Sequence, residues 1–404
     1  MARPSDRWPT LDELDPESEK RKFVEKILSE ADFEYLEKEA IKCRQISQRD
    51  LPSNVTCRVE LKRFGSVQKN VLLEIAFSDG VFWTARVLHQ SSQSGSLDEN
   101  QISVLSEIAT MRIVRERTNI PAPEVLGFEM SAEQPFGFPY VFIVCIQGFS
   151  LPGGLAFSIP MQHRNKVARR IAYIWMQLQN IHSEYIGRLW RDTSTLGPIM
   201  TIPMAWHSSQ SRLSTSYEYF HTTQRDRHRD IASRCPDDLE HRTASWVLMN
   251  AMNHVIVKDK VQGPFPLCHW DFSRHNIIFN DAYEIIGVTG WAKAQTAPLE
   301  QQAACPELVT SPYLSNEQNQ SVLEFKKLVI FWLKKHEGGK GAPNRFRGVL
   351  PTFLDSKGPE IVYEWSVYKR DDYLNVAKRI AQLLYGQIIT WGQLKDVYGP
   401  MPFY

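Results

Sequence analysis

The stretch Pro266-Leu-Cys-His-Trp-Asp-Phe-Ser-Arg-His-Asn-Ile-Ile-Phe-Asn280 decides how this chain of 404 residues is read. An apolar opening leads through His269, Asp271 and Asn276 to a second apolar run, Ile277-Ile278-Phe279. That order suits a polar loop in β-rich surroundings. An aspartate so placed can orient a hydroxyl or accept its proton. An asparagine five residues later can turn back toward a cation held by phosphates.

The chain on either side reads as an α+β protein. Residues 1–50 are rich in charge and helix formers and predict an N-terminal helical extension. From Cys57 the period becomes two. Val71, Leu73, Ile75 and Phe77 alternate with Asn70, Leu72, Glu74 and Ala76, and Ser78-Asp79-Gly80 supplies a turn before Val81, Trp83, Ala85 and Val87. Residues 57–88 therefore predict an antiparallel meander. A polar stretch, Ser91–Ser96, ends it. A helix is expected through Ile102, Leu105, Ile108 and Ala109 to Ile113, ending before the prolines of Asn119-Ile-Pro-Ala-Pro123. Tyr140–Ile146 reads as a buried strand. Val167, Ile171, Ile174, Trp175 and Leu178 mark one face of a long helix, and helices dominate again from about 320 to 386.

Composition narrows the classes. Hydrophobic residues are 43% and charged residues 23%, which excludes a largely disordered chain. Lys and Arg number 47 against 46 Asp and Glu, so a formal charge of +1 offers no global field for nucleic acid or an anionic membrane. No apolar run approaches the roughly 20 residues of a membrane helix. The opening MARPSDRWPTLDELD lacks the apolar segment of a leader. Six scattered cysteines (43, 57, 145, 235, 268 and 305) suit neither zinc nor a disulfide framework. The expectation is a cytoplasmic protein with no nucleic-acid or membrane partner.

The spacing His-x-Asp-x-x-x-x-Asn is that of a kinase catalytic loop. More of the chain resembles the aminoglycoside phosphotransferase and choline-kinase-like family, particularly its fungal members. Leu267-Cys-His-Trp-Asp-Phe-Ser-Arg-His-Asn-Ile-Ile278 and Gly287-Val-Thr-Gly-Trp-Ala-Lys-Ala-Gln-Thr-Ala-Pro298 are similar to two family motifs. Gly65-Ser-Val-Gln-Lys-Asn-Val-Leu-Leu-Glu74 resembles the family's first hairpin over the nucleotide. Glu107-Ile-Ala-Thr-Met-Arg112, with Thr118-Asn-Ile-Pro-Ala-Pro-Glu-Val125, resembles its αC-type helix and next strand, and Ile181-His182 with Ile186-Gly187-Arg-Leu189 resembles the end of a later helix. The likeness runs in order from about 57 to 310.

It implies a two-lobed, protein-kinase-like α+β fold, with an N-lobe over 51–147, a C-lobe over 148–404 and the catalytic-loop segment at 267–298. It implies ATP and Mg²⁺ as cofactors and a small-molecule hydroxyl as acceptor. Asp271 would be catalytic and Asn276 would hold metal. Gly65, Ser66 and Gln68 would line the nucleotide, Arg86 would stand where kinases place a phosphate-binding lysine, and Glu107 would be its partner. Residues 143–149 would be the hinge that meets adenine, and His269 would order the loop.

The family pattern fails at one chemically central place. Where it carries a second metal-binding aspartate, in I-D-W-E, this chain has Gly290, with Ala292 at the next acid and Lys293 beyond. Losing that stabilisation costs about 3–4 kcal/mol, or roughly 10²–10³ in rate. Trp270 also replaces a small residue of the motif. Three functions remain: a phosphotransferase with impaired activity, a pseudokinase that binds nucleotide or a protein partner, or a kinase-fold cleft reused for another small-molecule reaction. Elsewhere, His221, His228 and His241 read as a solvated helical surface, and Phe325–Lys335 as a core helix whose lysines snorkel at its ends. Trp206, Trp270 and Trp291 are candidate pocket aromatics.

Overall fold

Alternating residues at 70–77 and 82–87 form two paired strands in the computed structural model, which describes residues 3–67, 69–89, 99–191, 198–204, 212–337, 346–367 and 372–403. The chain divides into two compact units, Met1–Arg115 with Pro121–Gly148, and Glu116–Ile120 with Phe149–Tyr404.

The first unit begins with a short 3-10 turn, Pro4–Arg7. It continues through α1 (Glu19–Glu30), α2 (Phe33–Ser47), β1 (Cys57–Val59), β2 (Gly65–Val67), β3 (Asn70–Phe77), β4 (Phe82–Val87), α3 (Glu99–Arg117, whose last two residues count with the second unit), β5 (Val125–Glu129) and β6 (Tyr140–Val144). The sheet is antiparallel, in the order β1-β3-β4-β6-β5, with β2 also on β3. It departs from a simple meander: β1 pairs with residues 75–77 of β3 and β2 with 70–72, so both lie along one edge of β3. Gly80, at φ +83°, makes the expected turn into β4.

Val71, Leu73, Ile75 and Phe77 point to one side, into a core shared with Phe23, Val24 and Ile27 of α1 and Leu36 and Ala40 of α2. Fully burying one such side chain contributes about 1.5–3 kcal/mol. Both helices start on side-chain caps, Ser18 Oγ accepting from Arg21 N–H and Asp32 Oδ1 from Tyr35 N–H. Arg44, at the end of α2, forks onto Asp79 in the β3–β4 turn at 2.8 and 2.5 Å.

The second unit is mostly helical. It contains α4 (Leu155–Ser158), α5 (Met161–Gln179), β7 (His182–Ser183), β8 (Arg188–Trp190), β9 (Met200–Ile202), α6 (Ser216–Arg234), α7 (Leu239–Val255), β10 (Phe265–Cys268), β11 (Ile277–Phe279), β12 (Ile285–Val288) and β13 (Gln295–Thr296). Then come α8 (Leu299–Ala303), α9 (Asn316–Glu337), α10 (Val349–Leu354), α11 (Gly358–Val367), α12 (Tyr373–Tyr385) and α13 (Trp391–Tyr398). The apolar face of α5 is buried as its periodicity predicts, and α5 packs on α9. The α+β class, with a small antiparallel sheet and helix followed by a helical C-terminal part, is the kinase-like fold expected. Among the described residues, no helix is long and apolar enough to cross a membrane.

Two surface readings are corrected. His228 is buried, 2% exposed, with Gln224 at 2.5 Å, and burial pushes its imidazole down to about 3. Its helix face packs inward instead of meeting water. Lys326 does not snorkel either: it is buried and pairs with Glu360 at 3.0 Å.

Candidate active site

In the second unit, β10 delivers the loop. Its four residues are buried, and Leu267 N–H donates to Ile181 O at 2.7 Å while Leu267 and Cys268 pair with β13. The chain leaves the sheet at His269, turns through residues 271–276 and re-enters as β11, which forms a hairpin with β12. His269 is 4% exposed, and burial holds its imidazole below the usual range. The neutral ring donates from Nε2 to Thr289 O at 2.7 Å and lies edge-on to Trp291. Thr289 N–H donates in turn to Asn276 O at 2.8 Å. These two bonds tie both ends of the loop to the residue before Gly290, so His269 is an ordering residue.

Asp271 is exposed and Asn276 is half-buried. Asn276 Nδ2 donates to Asp271 O and to Asp271 Oδ2, each at 2.8 Å. Ser273 N–H closes the turn on Asp271 O at 2.9 Å. Gly290 stands at φ +79°, and a Cβ built there would lie 2.5 Å from Asn276 Cγ and Oδ1. Asn276 therefore occupies space that a side chain at 290 would need. Lys293, exposed at the end of a short 3-10 turn, carries the nearby positive charge noted in the sequence.

Nothing in the sequence pattern singles out Glu307. It is 5% exposed, and its carboxylate accepts from Arg274 N–H at 2.9 Å and from Leu155 N–H at 2.7 Å. One carboxylate thus fastens the middle of the loop to the start of α4. Hydrogen bonds to a charged group are worth about 1.5–3 kcal/mol each. A glutamate 31 residues after the loop's Asn276 has no spacing that sequence reasoning could have used.

The first unit holds the other predicted residues. Arg86 lies on β4, opposite Leu72 of β3 and Val141 of β6. Its Nη1 donates to Glu107 Oε2 of α3 at 2.8 Å, with the two residues 3% and 8% exposed. The expected pair is formed. The other two guanidinium nitrogens, Nε and Nη2, are buried without a hydrogen-bond partner among the described residues. Gly65 and Ser66 lie on β2. A Cβ at Gly65 would lie 2.9 Å from both Leu72 Cβ and the Trp8 indole, so packing alone already calls for glycine here. Gln68 and Trp206 fall outside the described residues.

The two unmatched nitrogens of Arg86 are donors of the kind that suits a phosphate oxyanion. A resident divalent cation does not fit the loop as it stands. Asp271 is its one carboxylate, the Asn276 amide is turned onto that carboxylate, and Gly290 contributes no ligand. Among the described residues, no three His, Cys, Asp or Glu side chains gather into a metal-holding group.

A family profile described as "Phosphotransferase enzyme family" matches residues 87–304, more than half of the chain. Among solved structures, the chain is similar to a Ralstonia eutropha protein assigned as an aminoglycoside phosphotransferase, at 12% identity and TM-score 0.49, covering 89% of this chain and 98% of that one. It is similar to an ADP-bound aminoglycoside phosphotransferase at 12% identity and TM-score 0.44, covering 87% and 97% respectively. A macrolide 2'-phosphotransferase of Brachybacterium faecium has 11% identity and TM-score 0.43, covering 87% and 98%. Among curated proteins, none matches the chain.

Proposed function

The chain belongs to the phosphotransferase enzyme family, and on that premise we propose that it transfers the γ-phosphoryl group of ATP, slowly, to a hydroxyl of a small molecule. The observation that carries the reading is Arg86. A guanidinium buried with two nitrogens unmatched forfeits about 1–3 kcal/mol per unmade bond. A nucleotide phosphate that supplies the acceptors recovers it, while Glu107 fixes the direction of the fork.

Asp271 supports the chemical half. It is exposed, and Asn276 and the Ser273 turn hold it in place. Its carboxylate would orient the acceptor hydroxyl and take its proton. The acceptor oxygen bonds to γ-phosphorus, the bond from that phosphorus to the β,γ-bridging oxygen breaks, and ADP leaves. Slow turnover is expected because Gly290 supplies no ligand for a cation that would offset the charge of the phosphates.

The experiment is a thermal-shift titration with ATP and ADP, with and without Mg²⁺, beside an ADP-release assay with pooled small alcohols and sugars. Wild-type protein should shift by several degrees, and Asp271→Asn should keep the shift while losing at least 10²-fold in turnover. No shift with any nucleotide would remove the reading. A second reading, a pseudokinase that binds nucleotide or a protein partner without turnover, is favoured by the Asn276–Asp271 bond beside Gly290. A nucleotide shift with turnover no higher than that of Asp271→Asn would select it.

A further inference from the structure

The face of the first unit's sheet that carries Arg86 is already partly covered, and by the chain itself. Directly opposed residues of antiparallel strands present their side chains to the same face. Leu72 opposes Arg86 and Glu74 opposes Thr84, so these four share a face, opposite the one that meets α1 and α2. On it Glu74 is fully buried, although a lone carboxylate resists burial. What covers it is the N-terminal turn. Arg3 Nε and Nη2 donate to Glu74 Oε1 at 2.8 and 2.6 Å, and Ser5 N–H donates to Oε2 at 2.8 Å. Ser5 is itself 2% exposed.

The contact continues along the strands as a strap. Arg3 Nη2 also reaches Glu60 at 3.1 Å. Trp8 packs on Gly65, Arg63 Nη1 donates to Trp8 O at 2.7 Å, Phe64 N–H donates to Pro9 O at 2.9 Å, and Thr10 bridges to Arg63. The same face holds Thr84, opposite Glu74, and Cys145 lies just past the end of β6. Glu74 is close enough that its charge, after burial, helps push the Cys145 thiol up. Glu74, on which the turn is seated, is therefore the diagonal neighbour of Arg86 across one strand pair, roughly 7–8 Å away between backbones.

We propose that residues 3–10 are an autoinhibitory strap that competes with nucleotide for the Arg86 face of the sheet. The proposal rests on the nucleotide reading of Arg86. Its lock is the Arg3–Glu74 pair, in which the buried carboxylate gives specificity and the 41% exposed arginine allows release. Its second hold is Trp8 on Gly65, in the row Gly65–Leu72–Arg86 across three strands. ATP affinity then depends on how often the strap lifts, because occupancy by the strap reduces the competent fraction.

Competition is reciprocal, so it can be read from either side. The full-length wild type, Arg3→Glu and Trp8→Ala are compared by calorimetry with ATP and by amide exchange at Ser5 and Phe64. Both variants should bind ATP at least tenfold tighter than wild type, and saturating ATP should speed exchange at Ser5 in the wild type. ATP that binds wild type while leaving Ser5 equally or better protected would overturn the strap and leave the nucleotide reading intact. Equal ATP affinity in wild type and in variants whose Ser5 exchange has risen would do the same. ATP bound by none of the three proteins, with the strap shown to be open, would overturn the nucleotide reading and the strap with it. Binding by all three, at least tenfold tighter in the variants, would confirm both.

Discussion

Gly290 is where conformation and chemistry meet most closely. At φ +79° and ψ +35° the backbone lies in the left-handed region, which costs an ordinary L-residue about 1–2 kcal/mol. Aspartate is among the residues that tolerate it best. A new side chain must also turn Asn276 away from Asp271. Gly290→Ala is therefore expected to lose about 1–2 kcal/mol by chemical denaturation. Gly290→Asp should lose a similar amount in the absence of metal but acquire Mg²⁺-dependent ATP binding; calorimetry with and without Mg²⁺ checks it, and an unchanged Mg²⁺ response would refute it. Glu300 makes a second residue-scale prediction. It is fully buried, accepts from Val257 N–H at 2.6 Å, and burial pushes its carboxyl up to about 7 from an ordinary 4.5. Below pH 4.5 the group is neutral folded or unfolded and its stabilising contribution is intact. Between about 4.5 and 7 the unfolded chain ionises while the folded carboxyl stays neutral, so stability falls by about 3 kcal/mol, and the loss is complete once pH has passed about 7. Glu300→Gln should remove that fall between pH 5 and 8, as followed by urea midpoints.

At the scale of elements, the loop after β10 depends on a few long-range bonds. Glu307→Gln keeps an acceptor for one of Arg274 and Leu155 but discards the charge that serves both. It should cost about 1–3 kcal/mol, speed amide exchange at Arg274, and lower turnover more than ATP affinity. Retained exchange protection at Arg274 would show that the loop is held in some other way. The strands and the loop could be read from sequence because period two at 70–77 and the His-x-Asp-x-x-x-x-Asn spacing are local signals. The clamp could not: a single acid in Cys305-Pro-Glu307 looks like any surface glutamate until folding brings it to the loop. His228 and Lys326 misled for the same reason, since a charged neighbourhood along the chain does not reveal which helix face packs inward.

For the whole molecule, the amphipathic pattern of residues 19–47 shows that α1 and α2 have an apolar side but not what covers it. They cover one face of the first unit's sheet, so they are part of its core. Leu36→Ala should destabilise by about 2–5 kcal/mol, measured as a lower denaturant midpoint for near-ultraviolet dichroism; a neutral effect would mean that the helices are dispensable. The strap was equally hidden, because Arg3 and Glu74 are 71 residues apart and no local pattern connects them. Glu307 and Arg86 also bear on how the protein should be cut for expression. A fragment trimmed to the family match would run from 87 to 304. It would begin one residue after the buried arginine and stop three residues before the glutamate that fastens the loop, keeping the recognisable motif while discarding two of the groups on which the proposed function relies.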